Sequence, residues 1–263
     1  MPRISYFALS ACLLALPAAA AESASQGPSG PQGRTWAEIK QLPDWSGAWQ
    51  LDLHADPRQS GEKVPFTPAY DAALKKLRAI AVAAGDSLGN AKLCLPIGPI
   101  FQTPLMLSEF IYQPGLVMMV SEKRDILRVY TDGRTHDSKI PPGFFGNTIG
   151  HWEGDTLVAD TTNLRADGEL FYAQKTGAAA KDLHIIERIH QDAPDHIRID
   201  VTMTSDVAFS APFHENVQYT RVPFPIGENV CTQNNRDIDP FGAQQFDLQS
   251  GNPRETHTVP TAK

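Results

Sequence analysis

The sequence predicts a mainly β protein: an antiparallel meander that closes into a barrel, with one substantial helix, residues 68–84, on its N-terminal side. Three observations predict this. Pro (21) and Gly (19) are frequent among the 263 residues, and such punctuation suits many short strands and turns better than a helical bundle. From Leu107 onward, short runs rich in β-branched and aromatic residues alternate with turn signals at Pro114-Gly115, Asp132-Gly133, Gly154-Asp155 and Asp192-Ala193-Pro194-Asp195. Sheets of so many successive strands curl or close. The composition is ordinary for a globular chain, 41% hydrophobic and 20% charged, so a core of useful size is available.

The elements follow in order. Residues 1–20 read as a signal peptide. Arg3 gives the positive start, Ile4 to Leu16 is an apolar run too short to span a bilayer, and Ala18 to Ala21 offer an A-x-A site cleaved after Ala20 or Ala21. Leu9-Ser10-Ala11-Cys12 also matches a lipoprotein box, but few apolar residues precede Cys12 and the run continues past it. Export to a bacterial periplasm is expected. No later segment approaches the roughly 18 apolar residues of a membrane helix, so no transmembrane segment is expected.

Residues 21–34 are a Ser/Gly/Pro/Gln-rich leader, 35–236 form the barrel domain, and 237–263 make a polar, poorly ordered tail. Trp36 to Gln41 suits a short helix, and Trp45 to Leu51 a first strand. The main helix has Thr67 as N-cap, Pro68 at its first position and Leu74, Leu77, Ile80 and Ala81 at helical spacing. Strands are predicted at 109–113, 116–122, 126–131, 148–153, 156–160, 184–191, 196–204 and 214–221.

Loss of the signal removes Cys12 and leaves Cys94 and Cys231. An even number of cysteines in an oxidising compartment favours one disulfide, with two buried free thiols as the alternative. Neither has a C-x-x-C partner for a zinc site.

Strand faces give the candidate site. With Gly154 and Asp155 as a two-residue loop, Glu153 stands opposite Thr156, and His151 and Asp160 become diagonal neighbours on one face. An Asp that orients a His suits general-base work, and a surface His beside a surface Asp is the plainer reading. In the next hairpin Ile197, Ile199, Val201 and Met203 form an apolar face. The simplest register places His184, Ile186, Arg188 and His190 on it; a one-residue shift places Ile185, Glu187 and Ile189 there instead. Either way the inner wall carries an ionisable residue, which marks a cavity.

Several classes are disfavoured. The net charge of −7 argues against a general nucleic-acid binder. There is no G-x-G-x-x-G, P-loop or G-x-S-x-G, so no cofactor is expected. The eight histidines include no tight ligand pair; His184 and His190 lie about 20 Å apart along a strand, so no metal is expected.

The stretches Tyr130 to His136, Gly146 to Thr161, Leu183 to Arg188 and Cys231 to Asp237, with Trp45 to Trp49 and Cys94-Leu95-Pro96, resemble a large family of exported bacterial proteins, most without an assigned function. The resemblance implies a shared fold and export, and covers nearly all of the mature chain. Thr148-Ile149-Gly150 and Thr156 to Asp160 depart mildly from that pattern, and Cys94 to Ile100 lacks an Arg expected there, which implies a different pocket. Gly47-Ala48-Trp49 and Thr131-Asp132 also resemble the G-x-W and T-D of lipocalin-like barrels.

The expected function is therefore a cofactor-independent lyase or isomerase that moves a proton on a small apolar or aromatic molecule in the barrel. His151 or His184 is the expected base, Asp160 the orienting acid and Tyr130 a possible proton donor, with Arg134 or Arg188 stabilising oxyanion charge. A hydrolase using the same pair is a close variant. A periplasmic carrier using the cavity without chemistry is the main alternative, and an envelope-interaction protein a third.

Overall fold

A computed structural model describes residues 33–52, 63–83, 90, 95–96, 98, 107–122, 125–171 and 174–227, with the backbone of 237–238 and 244–245. The signal peptide, most of the leader, Cys94 and Cys231 lie outside the described residues.

Helix α1 (Trp36–Ile39) starts at a capping box: the Thr35 hydroxyl accepts from the Glu38 amide, and the Glu38 carboxylate accepts from the Thr35 amide. Strand β1 (Ala48–Leu51) is shorter than predicted. Helix α2 (Pro68–Ala83) has the predicted cap, with the Tyr70 amide donating to Thr67 Oγ1. Of its apolar stripe, Leu74 and Ala81 pack inward, whereas Leu77 and Ile80 are exposed. Strands β2 (Leu107–Gln113), β3 (Leu116–Ser121), β4 (Ile126–Tyr130), β5 (Asn147–Glu153) and β6 (Thr156–Thr162) follow. A small ladder of β7 (Glu169–Phe171) and β8 (Gln174–Lys175) interrupts the meander before β9 (His184–Ala193), β10 (His196–Thr204) and β11 (Phe213–Val222). In the predicted tail, β12 (Asp237–Ile238) pairs with β13 (Gln244–Gln245).

Nine strands close the barrel in the order β1-β11-β10-β9-β6-β5-β4-β3-β2, with β1 also pairing β2. The mainly β barrel is as predicted, and its architecture is consistent with a lipocalin-like barrel. One joint differs. Asp132-Gly133 does not turn a hairpin: Asp132 is held by Arg134, and residues 131–146 cross over so that β4 and β5 pair in parallel at Tyr130 and Ile149. A loop of that length suffices for a parallel connection, which a two-residue turn does not.

The β5–β6 hairpin has the predicted register, with Glu153 opposite Thr156. The β9–β10 hairpin does not have the simplest one. Asp192 bulges out of the ladder, His196 pairs Ala193, Ile197 pairs Gln191, and Asp192 Oδ1 bonds His196 Nδ1. That extra residue rotates Ile185, Glu187 and Ile189 inward, and turns His184, Arg188 and His190 outward.

Alternation then lines the barrel. Ile197, Ile199, Val201 and Met203 project inward from β10, with Leu157 and Ala159 from β6 and Val217 and Tyr219 from β11. Each large apolar side chain removed from water contributes roughly 1.5–3 kcal/mol. At one end Trp45 packs against Phe110, Tyr112 and Trp152 with ring centroids 5.1, 5.4 and 5.7 Å away.

Gly146 sets the start of β5. Its φ is +66°, and a Cβ there would clash with the Thr162 carbonyl oxygen. Gly146→Ala is expected to destabilise by about 2–4 kcal/mol, through both the left-handed backbone and the clash. Gly154, at φ +60° with open space around it, supplies the control: Gly154→Ala should cost about 1 kcal/mol. Urea unfolding of the two variants measures the difference.

Candidate active site

The outer wall of the barrel, not its interior, gathers most of the predicted site residues. Tyr130, Ile149, Asp160 and Ile186 stand side by side across β4, β5, β6 and β9. All four are half-buried. Adjacent strands are about 4.8 Å apart, so Tyr130 and Asp160 are separated by roughly 10 Å of backbone, with Ile149 between them.

Asp160 is the hub. Its Oδ1 accepts from His184 Nε2 at 2.6 Å and from His136 Nε2 at 3.1 Å. The Nδ1 of His136 lies 2.8 Å from Asn147 Oδ1 and 3.2 Å from Thr162 Oγ1, so this imidazole is fixed on both sides. Asn147 is itself buried, which ties the crossover loop carrying His136 to the first residue of β5. His184 is different. With Nε2–H given to Asp160, its Nδ1 carries the lone pair, and no described residue bonds that nitrogen. Its side chain is 42% exposed, against 28% for His136 and 31% for Asp160. One imidazole is thus braced, and the other is aimed and accessible.

Arg134 flanks the trio. Its guanidinium lies 3.8 Å from the centroid of the Tyr130 ring and makes a two-armed contact with Asp132 at 2.8 and 2.5 Å. That hydrogen bond holds the Asp132 carboxyl below the usual carboxylate range.

Two predicted partners do not join. His151 shares the outer face with Asp160 as expected, yet its Nε2 contacts Glu153 at 3.1 Å and its side chain is 64% exposed. Arg188 bonds the other oxygen of the same Glu153 at 2.7 Å and, because of the Asp192 bulge, lies outside the barrel. Arg188 first and His151 second hold the Glu153 carboxyl low. These three form a separate solvent-facing cluster, of a kind that contributes little to stability.

Sequence reading missed His136. It lies in the crossover loop, where no strand periodicity assigns it a face; the signal available was its place at the end of the Tyr130 to His136 stretch. Among the described residues no group of three or more His, Cys, Asp or Glu is arranged to hold a metal ion, and no helix is long and apolar enough to cross a membrane. The trio offers an oriented base, a carboxylate that fixes its tautomer, and an apolar shelf of Ile149 and Ile186 beside it. Compared with known proteins, the chain matches no family model and no curated protein.

Proposed function

We propose that the protein is an exported, cofactor-independent enzyme of the lyase or isomerase type, which moves a proton on a small apolar or aromatic molecule at the outer-wall site. The observation that carries this reading is His184: its Nε2 is fixed by Asp160 at 2.6 Å, its side chain is 42% exposed, and no described residue bonds its Nδ1, which leaves that nitrogen available as a base. The substrate lies against Ile149 and Ile186, and His184 Nδ1 removes a proton from carbon. Oxyanion charge that develops on the substrate is met by the Tyr130 hydroxyl, with Arg134 behind its ring. Return of the proton from His184 to a neighbouring carbon gives an isomerase; loss of a leaving group gives a lyase. His136 does not touch substrate in this scheme. It positions Asp160.

The test uses deuterium wash-in. Small aromatic ketones and related carbon acids are incubated with the protein in D2O and followed by proton NMR. A compound that exchanges with wild type should exchange about 100- to 10,000-fold more slowly with His184→Ala, which keeps its fold. Equal exchange by the variant would dismiss His184 as the base. Binding of the compounds without any exchange would favour the carrier reading.

A further inference from the structure

Away from the outer wall, the barrel interior contains two acids. Glu187 on β9 and Glu215 on β11 both point inward, on either side of Val201 of β10. Glu187 is 0% exposed, and neither of its carboxyl oxygens has a hydrogen-bond partner. Buried polar groups in folded proteins are almost always bonded, so such an orphan points to a missing group. The surrounding row includes two small residues, with the Val129 side chain packed over Gly150. Gly150, Ala159, Glu187, Val201 and Glu215 follow one another across β5, β6, β9, β10 and β11. Ala159 is the smallest inward side chain of β6, between Leu157 and Thr161.

We propose that the barrel interior binds a small apolar molecule ending in a primary amine, with Glu187 as the anionic partner of its ammonium and Glu215 adding negative charge beside it. The chemistry follows from the walls. Ile185 and Ile189 flank Glu187 along β9, and Met119, Leu127 and Val129 contribute to the same core; none carries a cation. A hard divalent metal would need about six oxygen ligands, which two acids in a hydrocarbon setting cannot supply. An organic ammonium, with three N–H donors, can use both unbonded Glu187 oxygens, and its body takes apolar contact. Burial, and then Glu215, push the Glu187 carboxyl up to about 8, so without a cation it keeps its proton at neutral pH. An amine arriving uncharged takes that proton and leaves a carboxylate–ammonium pair; no other reactant is required. This inference is independent of the outer-wall chemistry.

Thermal melting of the full chain with n-butylamine tests it, using butan-1-ol and butyrate at equal concentration as controls. The amine should raise the melting temperature by several degrees near saturation, and the controls should not. Glu187→Gln, which keeps the size and cannot ionise, should abolish the rise, whereas His184→Ala should retain it. Should Glu187→Gln fail to fold, carbon-13 NMR of the wild-type glutamate carboxyls replaces it: one buried resonance should move to the ionised position as amine is added. No rise with the amine, an equal rise with butan-1-ol or in Glu187→Gln, or a carboxyl signal that does not move overturns the proposal.

Discussion

Glu187→Leu is expected to stabilise the protein at neutral pH by roughly 3 kcal/mol, raising the melting temperature by on the order of 5–10 °C. The carboxyl lies wholly buried among apolar side chains with neither oxygen bonded, so leucine removes a desolvation penalty and adds hydrocarbon contact. The pH dependence gives the signature. Glu187 is held at about 8 in the fold against an ordinary 4.5. Below about 4.5 it is protonated in both folded and unfolded chains and opposes folding least. Between about 4.5 and 8 the unfolded chain ionises while the folded chain holds its proton. Folding then binds a proton, and stability falls by up to about 1.4 kcal/mol for each pH unit. Above about 8 both forms are ionised and the loss stops growing. Asp132, Asp167 and Glu153 run in the opposite sense, because their carboxyls are held low by arginine partners. Their support is lost only in stronger acid, and it is small because they face solvent. Wild-type stability should therefore peak near pH 5 and decline towards pH 8, while Glu187→Leu stays nearly level. Urea titrations at a series of pH values measure both curves. Parallel curves would mean that Glu187 is ionised in the fold throughout.

On the proposed chemistry, Asp160→Asn should slow proton transfer by about 100- to 10,000-fold with little change in stability. The carboxylate oxygen accepts from two imidazole Nε2 atoms, at 2.6 and 3.1 Å. An amide at that position presents one oxygen and one NH2. The NH2 turned towards His184 makes Nε2 an acceptor and moves the ring proton to Nδ1, the nitrogen proposed as the base. The side chain is only partly buried on the outer wall, so the fold loses less than about 1–2 kcal/mol. Nitrogen-15 NMR reads the tautomer directly. A variant whose His184 tautomer is switched but whose deuterium wash-in is unchanged would separate Asp160 from the chemistry.

Much of the fold was readable because strand faces announce themselves. The alternation of Ile197, Ile199, Val201 and Met203 fixes the inner face of β10 without ambiguity. The loop of Gly154 and Asp155 likewise fixes the β5–β6 register. What resisted was what alternation does not encode. A single bulged residue, Asp192, decides whether Glu187 or Arg188 faces the core, and the two readings of that hairpin differ by only one position. Asp132-Gly133 carries a strong local turn signal, yet the long segment after it lets the chain cross over instead. The site followed the same division. The hairpin put Asp160 on one face with His151 as expected, but that face lies on the outer wall and not on the expected cavity. His184 was predicted beside it on the wrong side of the wall, and met it once both were turned outward. His136 has no periodic context and became visible only through the crossover loop.

The parallel joint between β4 and β5 rests on one pairing, Tyr130 with Ile149, whereas β5, β6, β9, β10 and β11 are zipped by long antiparallel ladders. The barrel therefore has a seam, and the outer-wall site straddles it. Tyr130 and Arg134 belong to one side; Asp160 and His184 belong to the other; His136 lies on the strap between them. A local opening of the seam would dismantle the site while the long ladders stay intact, so integrity of the site and global folding are separable equilibria in this molecule.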